Sequence, residues 1–171
     1  MSLIAEDGSG KSNADAYVTL AECDAYHTNL GNSDWLIDAE DAANVAKREN
    51  AIKKATAFIE ARYGGRFKGV RSTAEQALLF PRYGISDNDG YVLENVPAAV
   101  KRATCEAALK LFLGTDLMPD LDRGGKVISE TVGPISTTYS SGAPAGTRYE
   151  MIESILRGCL NGGASVRMVR A

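Results

Sequence analysis

The chain has 171 residues, 44% hydrophobic and 24% charged, the balance of one globular domain with a buried core. Its formal net charge of -3 argues against whole-surface attraction to nucleic acid or to an anionic membrane, and no apolar run approaches the roughly 20 residues that cross a bilayer. Cys23, Cys105 and Cys159 stand far apart with no CxxC, the single His27 cannot build a histidine metal cluster, and the start lacks the basic and apolar regions of a secretion signal, so a reducing compartment, no metal and no cofactor are expected.

Near the start, Gly8-Ser-Gly-Lys-Ser12 is similar to the end of a phosphate-binding loop. The full motif, G-x-x-x-x-G-K-[ST], needs a glycine where Ala5 stands and a buried strand where Glu6 and Asp7 intervene. The stretch therefore reads as a flexible Gly/Ser turn within an N-terminal extension, residues 1–18.

Thr19-Leu-Ala-Glu22 is a capping box and opens a helix over 19–30, broken by Gly31 to Asp34. Trp35 and Leu36 form an apolar anchor. Asp38 then serves as N-cap of a long helix to about Tyr63, with Glu40 and Asp41 in its first turn and Arg62 in its last. Val45, Ile52 and Ile59 repeat at seven, Ala55, Phe58 and Tyr63 widen the stripe, and Gly64-Gly65 ends it. Arg66 to Arg71 is a basic connector. Ser72-Thr-Ala-Glu75 is a second capping box and predicts a short helix through Leu79, ended by Pro81. Asp87-Asn-Asp-Gly90 is a turn.

Pro97 suits the first position of a helix running to Leu113, capped by Gly114. Val100, Ala103, Ala107 and Leu111 make one face, and Ala108, Leu109 and Phe112 make it apolar almost all round, so it belongs at the centre. After a loop over 118–125 the period changes. Val127 to Val132 and Ile135 to Tyr139, split by Gly133-Pro134, read as a β-hairpin or β-arm. A Ser/Gly/Pro-rich loop over 140–147 leads to a last helix, Tyr149 to Leu160, with Met151, Ile152, Ile155, Leu156 and Cys159 as its apolar set. The tail, 161–171, partly alternates apolar and basic residues. The expected fold is a single mainly α domain: a small bundle of about four to five helices, with a helical body at 19–114, a hairpin at 126–139, a last helix at 148–160 and an extended tail.

Candidate chemistry is sparse. No G-x-S-x-G elbow surrounds a serine, and any serine or cysteine nucleophile would depend on His27, near a helix end where a cation is favoured anyway. Asp87 to Gly90 falls short of a calcium loop, because Ile85 occupies its first position and Val96 its twelfth. An enzyme is not expected. The best nucleic-acid patch is Arg62, Arg66, Lys68 and Arg71 with Tyr63 and Phe67 interleaved, the mixture that single-strand binders use; the alternative is a solvated basic connector with two core aromatics. Charge is uneven: residues 1–60 carry 11 acidic and 5 basic side chains, residues 123–171 carry 3 and 6. That asymmetry suits head-to-side contact between copies, or is surface charge without a partner.

A series of short motifs carries a resemblance along nearly the whole chain. It runs through Asn13-Ala-Asp-Ala-Tyr17, Asp24-Ala-Tyr-His27, Ile59-Glu-Ala-Arg-Tyr63, Gln76-Ala-Leu-Leu-Phe-Pro-Arg82 and Asp89-Gly-Tyr91. It continues through Val100-Lys-Arg-Ala-Thr104, Leu121-Asp-Arg-Gly-Gly125, Val132-Gly-Pro-Ile-Ser136 and Ser165-Val-Arg-Met-Val-Arg170. The series resembles tailed-bacteriophage head–tail connector (adaptor) proteins, a family that often carries the label DnaT-like single-stranded-DNA-binding protein.

The resemblance implies a non-enzymatic virion component, made in the host cytoplasm and placed in the neck. A ring of about twelve copies would sit between the portal and the next neck protein and line a channel for double-stranded DNA without reading its sequence. No membrane is involved. The label implies the alternative, a replication accessory that binds single strands. On the first reading the hairpin positions Val127, Ile128, Val132 and Ile135 and the tail positions Val166, Arg167, Met168, Val169 and Arg170 would contact a neighbouring subunit or the portal; otherwise they complete the subunit's own fold.

Overall fold

In the computed structural model, which describes residues 2–120, 129–138 and 147–161, four helices and two antiparallel ribbons make up a mainly helical fold. Helix α1, Leu20–Leu30, starts where its capping box predicts. The Thr19 hydroxyl accepts from the Glu22 N–H at 3.1 Å, and the Glu22 carboxylate accepts from the Thr19 N–H at 2.8 Å. Gly31 closes it in the left-handed region, with φ of 73°.

The long helix α2 spans Ala42–Tyr63, so Asp38 is not its cap. Asp41 takes the N-cap position, and Glu40 and Asp41 precede the first turn instead of lying within it. The reason lies outside the segment. Arg48, buried on α2, donates to Asp24 Oδ1 at 2.7 Å and to the carbonyl oxygen of Ala39, while Trp35 Nε1 donates to the same Asp24 oxygen at 2.7 Å. Turning the Ala39 carbonyl toward a buried guanidinium takes it out of a helical ladder, and Asp38 adopts a φ of 47°. Trp35, on the short 3₁₀ turn Ser33–Leu36, is fully buried, as an apolar anchor should be.

Helix α3 spans Ala98–Phe112 with Pro97 as its N-cap. It packs chiefly on α2 and also meets α1 and α4, Glu150–Leu156, which makes it the central element. Val100, Ala103 and Ala107 are fully buried on it, and Ile52, Ala55 and Ile59 are fully buried on α2. Small residues on α3 leave room for the larger ones on α2, and truncating one of those isoleucines to alanine would cost about 2–5 kcal/mol. The last helix is shorter than its pattern predicts: α4 gives way to a 3₁₀ turn at Arg157–Cys159, and Met151 faces solvent.

The predicted helix at 72–79 does not form. The donors it would need are claimed by distant acceptors: the Ala77 N–H bonds the Lys11 carbonyl at 2.9 Å, and the Leu79 N–H bonds Glu60 Oε1 at 2.6 Å. Thr73 and Gln76 still exchange two bonds in capping-box fashion, but the Gln76 amide then donates to the carbonyls of Leu78 and Pro81 and holds a loop. That loop carries the chain between β1, Val70–Arg71, and β2, Arg82–Tyr83, which pair antiparallel.

The hairpin forms as β3, Ser129–Val132, and β4, Ile135–Thr138, with Val132 opposite Ile135 across Gly133-Pro134. Val127, Ile128 and the tail positions 166–170 lie outside the described residues.

Candidate nucleic-acid interface

The glycine-rich start is an ordered structure, not a flexible turn. Glu6 is buried, and its carboxylate accepts from the backbone N–H groups of Gly8 at 2.8 Å, Gly10 at 2.9 Å and Lys11 at 2.8 Å. Converging N–H groups of this kind form an anion nest. Here the chain's own carboxylate fills it where a phosphate-binding loop would hold phosphate. Gly8 has a φ of 101° and a Cβ there would meet the side chain of Asn95. Residues 14–18 continue into the core, with Ala16, Tyr17 and Val18 buried.

His27 is fully buried in the core. Its Nε2 lies 3.1 Å from the Cys105 carbonyl, which only accepts, so Nε2 carries the proton and Nδ1 accepts from the Asn32 amide at 3.0 Å. Burial pulls its pKa below the ordinary value, and both ring nitrogens are engaged. The three cysteines are free and buried.

The basic connector is built by a change of backbone. After Tyr63 the chain makes a 3₁₀ turn, Gly64–Arg66, and becomes extended at Phe67. Phe67 bridges Leu160, the Lys68 N–H bonds the Cys159 carbonyl at 3.0 Å, and the Asn161 N–H bonds the Arg66 carbonyl at 2.7 Å. Four residues on, β1 pairs with β2. Segment 66–71 thus runs along the end of the last helix in its first half, bends at Lys68-Gly69 and pairs with β2 in its second.

This geometry sorts the six predicted residues into three groups. Tyr63 and Phe67 point inward, with 2% and 4% of their surfaces exposed. Their rings pack edge-on against Phe58 at 6.1 Å and Phe80 at 4.9 Å, so neither offers a face to a base. They are core aromatics. Lys68 is half-buried and pins the segment, its Nζ donating to the carbonyls of Ser86 at 3.0 Å and Gly158 at 2.8 Å. Arg62, Arg66 and Arg71 are exposed.

Two further arginines join them that no local pattern connects with 62–71. Arg66, Arg148 and Arg157 line one cleft with Glu150, Glu153 and Asn161. Glu153 reaches Arg66 Nη1 at 3.0 Å and Arg148 Nη2 at 3.2 Å. The two guanidinium groups, Arg66 first, hold its carboxyl below the usual carboxylate range. Among the described residues Arg62, Arg71 and Arg157 have no carboxylate partner. The only advance signal was the basic excess after residue 122.

The exposed aromatics are also different ones. Tyr83 and Tyr91 are 67% and 74% exposed. Tyr83 stands opposite Val70 in the β1–β2 ladder, one residue from the Arg71–Arg82 pair. Arg82 is held by the carbonyls of Lys68, Gly69 and Leu79, which fixes the ribbon's outer strand. Gly69 has a φ of 70°, and a Cβ there would collide with the Tyr83 carbonyl, so glycine sets the close approach of the two strands. Tyr91 follows the turn at Asp87 to Gly90. Asp87 Oδ1 accepts from the N–H groups of Asp89 at 3.0 Å and Tyr91 at 2.9 Å, so this carboxylate stabilises a turn. Residues Ser86 and Val92 then bridge, which sets Tyr91 opposite Asp87, four residues after Tyr83.

The result is a cleft of arginines at the start of segment 66–71 and a ribbon with Arg71 and the exposed Tyr83 at its end. Such an arrangement can hold phosphates and stack bases. The whole chain, residues 1–171, matches the family described as "Putative DnaT-like ssDNA binding protein". No curated protein and no solved structure matches it.

Proposed function

This chain belongs to the DnaT-like family that its whole length matches, and on that premise we propose that it binds single-stranded DNA along the 66–71 segment, without catalysing a reaction. Arg62, Arg66, Arg71, Arg148 and Arg157 contact phosphates. Tyr83 and Tyr91 stack on bases. The observation that carries the reading is the exposure of Tyr83 on the ribbon that also bears Arg71, with Tyr91 exposed after the next turn, since packing gives no reason to leave either ring in water. Sequence readout is not expected, because stacking accepts every base and phosphate contacts carry no sequence.

The test is a fluorescence titration with oligothymidylate at several salt concentrations. Three unpaired to five total arginines, at about 0.7 released ions each, give a log–log salt slope between about -2 and -3.5. Absence of binding at low salt would sink the reading.

A second reading is favoured by one feature, the β3–β4 ribbon, which forms a two-stranded sheet of its own. Such a ribbon suits contact between subunits. On this reading the chain is a head–tail connector in the virion neck, ringed with copies of itself between the portal and the next neck protein, around passing double-stranded DNA. A ring-sized species in light scattering, together with no salt-sensitive affinity for oligothymidylate, would move the conclusion to this reading.

A further inference from the structure

The β3–β4 ribbon has a definite pattern of used and unused backbone groups. Its loop is two residues long, so the flanking pair Val132 and Ile135 is the hydrogen-bonded kind, and the kinds alternate from there. Glu130 and Thr137 form the next hydrogen-bonded pair. Thr131 with Ser136, and Ser129 with Thr138, are the other kind, and their N–H and C=O groups point away from the partner strand. Each edge of the ribbon therefore presents two unpaired N–H/C=O couples, at 129 and 131 on β3 and at 136 and 138 on β4. Among the described residues no third strand meets either edge. A two-stranded ribbon by itself is marginal in water, and a third strand is the usual remedy.

We propose that β4 pairs with β4 of a second copy of this chain, antiparallel, across a two-fold axis at Thr137. That register sets Ser136 against Thr138 and Thr138 against Ser136, so all four outward couples bond at once. Sliding by two residues leaves half of them unmet.

Charge and sequence select this edge. Ile135-Ser-Thr-Thr138 holds no charge and no proline, the devices that protect an exposed edge. Glu130 is the one charged residue on the ribbon. β4-to-β4 pairing places the two copies of position 130 on the outer strands, three strand spacings or about 14 Å apart; β3-to-β3 pairing would bring like charges together at the join. The contact describes the free chain in solution and rests on neither functional reading above.

The test is oxidative cross-linking of the full chain carrying Thr137→Cys. Position 137 faces its own copy as a non-hydrogen-bonded pair, with Cα atoms about 4.5 Å apart, inside the disulfide range. Under copper–phenanthroline and air, most chains should become a disulfide-linked dimer, the two thiols giving two protons and two electrons to oxygen. The wild type should stay unlinked, because Cys23, Cys105 and Cys159 are buried. Light scattering of the unmodified chain should show twice the chain mass as concentration rises. Ser136→Pro should lose that doubling, since it removes an outward N–H and spares the ladder to β3; this arm decides the matter if Thr137→Cys does not fold. Three results would overturn the inference: a monomer at every concentration, a folded Thr137→Cys chain that stays unlinked, or cross-linking of Glu130→Cys chains to Thr137→Cys chains in preference to Thr137→Cys with itself.

Discussion

The molecule carries two antiparallel ribbons that differ in how they end. β1–β2 is two residues long on each side, bears Arg71 opposite Arg82, and is tied to the body by Lys68, by Arg82 and by the Phe67–Leu160 bridge. β3–β4 is four residues on each side, bears one charge, and pairs with nothing else among the described residues. On the two proposals above, the same backbone pattern serves two ends. Short strands with arginines discourage strand addition and attract phosphate; longer strands without charge on the outer edge invite another strand.

The sharpest way to break the comparison is to strip the tyrosines from the first ribbon. Replacing both Tyr83 and Tyr91 with alanine should cost about 1–3 kcal/mol per stacked base, a loss of oligothymidylate affinity near a hundredfold or more, read by fluorescence titration. The melting temperature should barely move, because both rings are exposed. Next is Lys68→Met, which removes the ammonium from the Ser86 and Gly158 carbonyls. It should lower stability by about 1.5–3 kcal/mol in urea unfolding and leave Thr137→Cys cross-linking intact.

Arg157→Gln should act more gently. With no carboxylate partner among the described residues, Arg157 offers one phosphate contact, so the variant should reduce the salt slope by about 0.7 and weaken binding alike for all sequences. Smallest of all is a pH effect remote from both ribbons. Burial lowers the pKa of His27 in the folded chain, so below about pH 6.5 the unfolded chain binds a proton that the folded chain resists. Stability should be fully present above that pH and fall by up to about 1.4 kcal/mol per pH unit below it, until the folded value is reached. His27 is the only histidine, so His27→Gln should flatten the urea midpoint between pH 7.5 and 5.5 in a way that wild type does not. Neither ribbon's binding should follow that change.

Legibility followed the range of the forces involved. The Thr19/Glu22 box, the Gly31 stop, the apolar stripe of α2, the central α3 and the Gly133-Pro134 hairpin all depend on neighbours a few residues apart, and all were readable. The capping-box pattern at 72–75 was equally good locally and formed no helix, since Lys11 and Glu60 took its donors. Asp38 looked like a cap and was displaced by the reach of Arg48 to Ala39. In the candidate site, the arginines of 62–71 were found from their clustering. Arg148 and Arg157 were not, because only packing against the 66–68 segment brings them there. Tyr63 and Phe67 read either as stacking rings, because they lie interleaved among basic residues, or as core aromatics, and composition alone does not say which way a ring points. Tyr83 and Tyr91 were missed for the converse reason, since nothing local marks a tyrosine as exposed.

The amino-acid sequence by itself determined the fold class, the approximate places of the four helices and the hairpin, and the exclusion of a phosphate-binding loop at Gly8 to Ser12. These rest on periodicity, capping and turn chemistry, whose partners lie within one or two turns of chain. Tertiary structure alone decided that Tyr63 and Phe67 belong to the core, and that Arg66, Arg148 and Arg157 line one cleft. Those outcomes depend on contacts between residues tens of positions apart, and such contacts exist only once burial of the common core has chosen which face of each segment points inward.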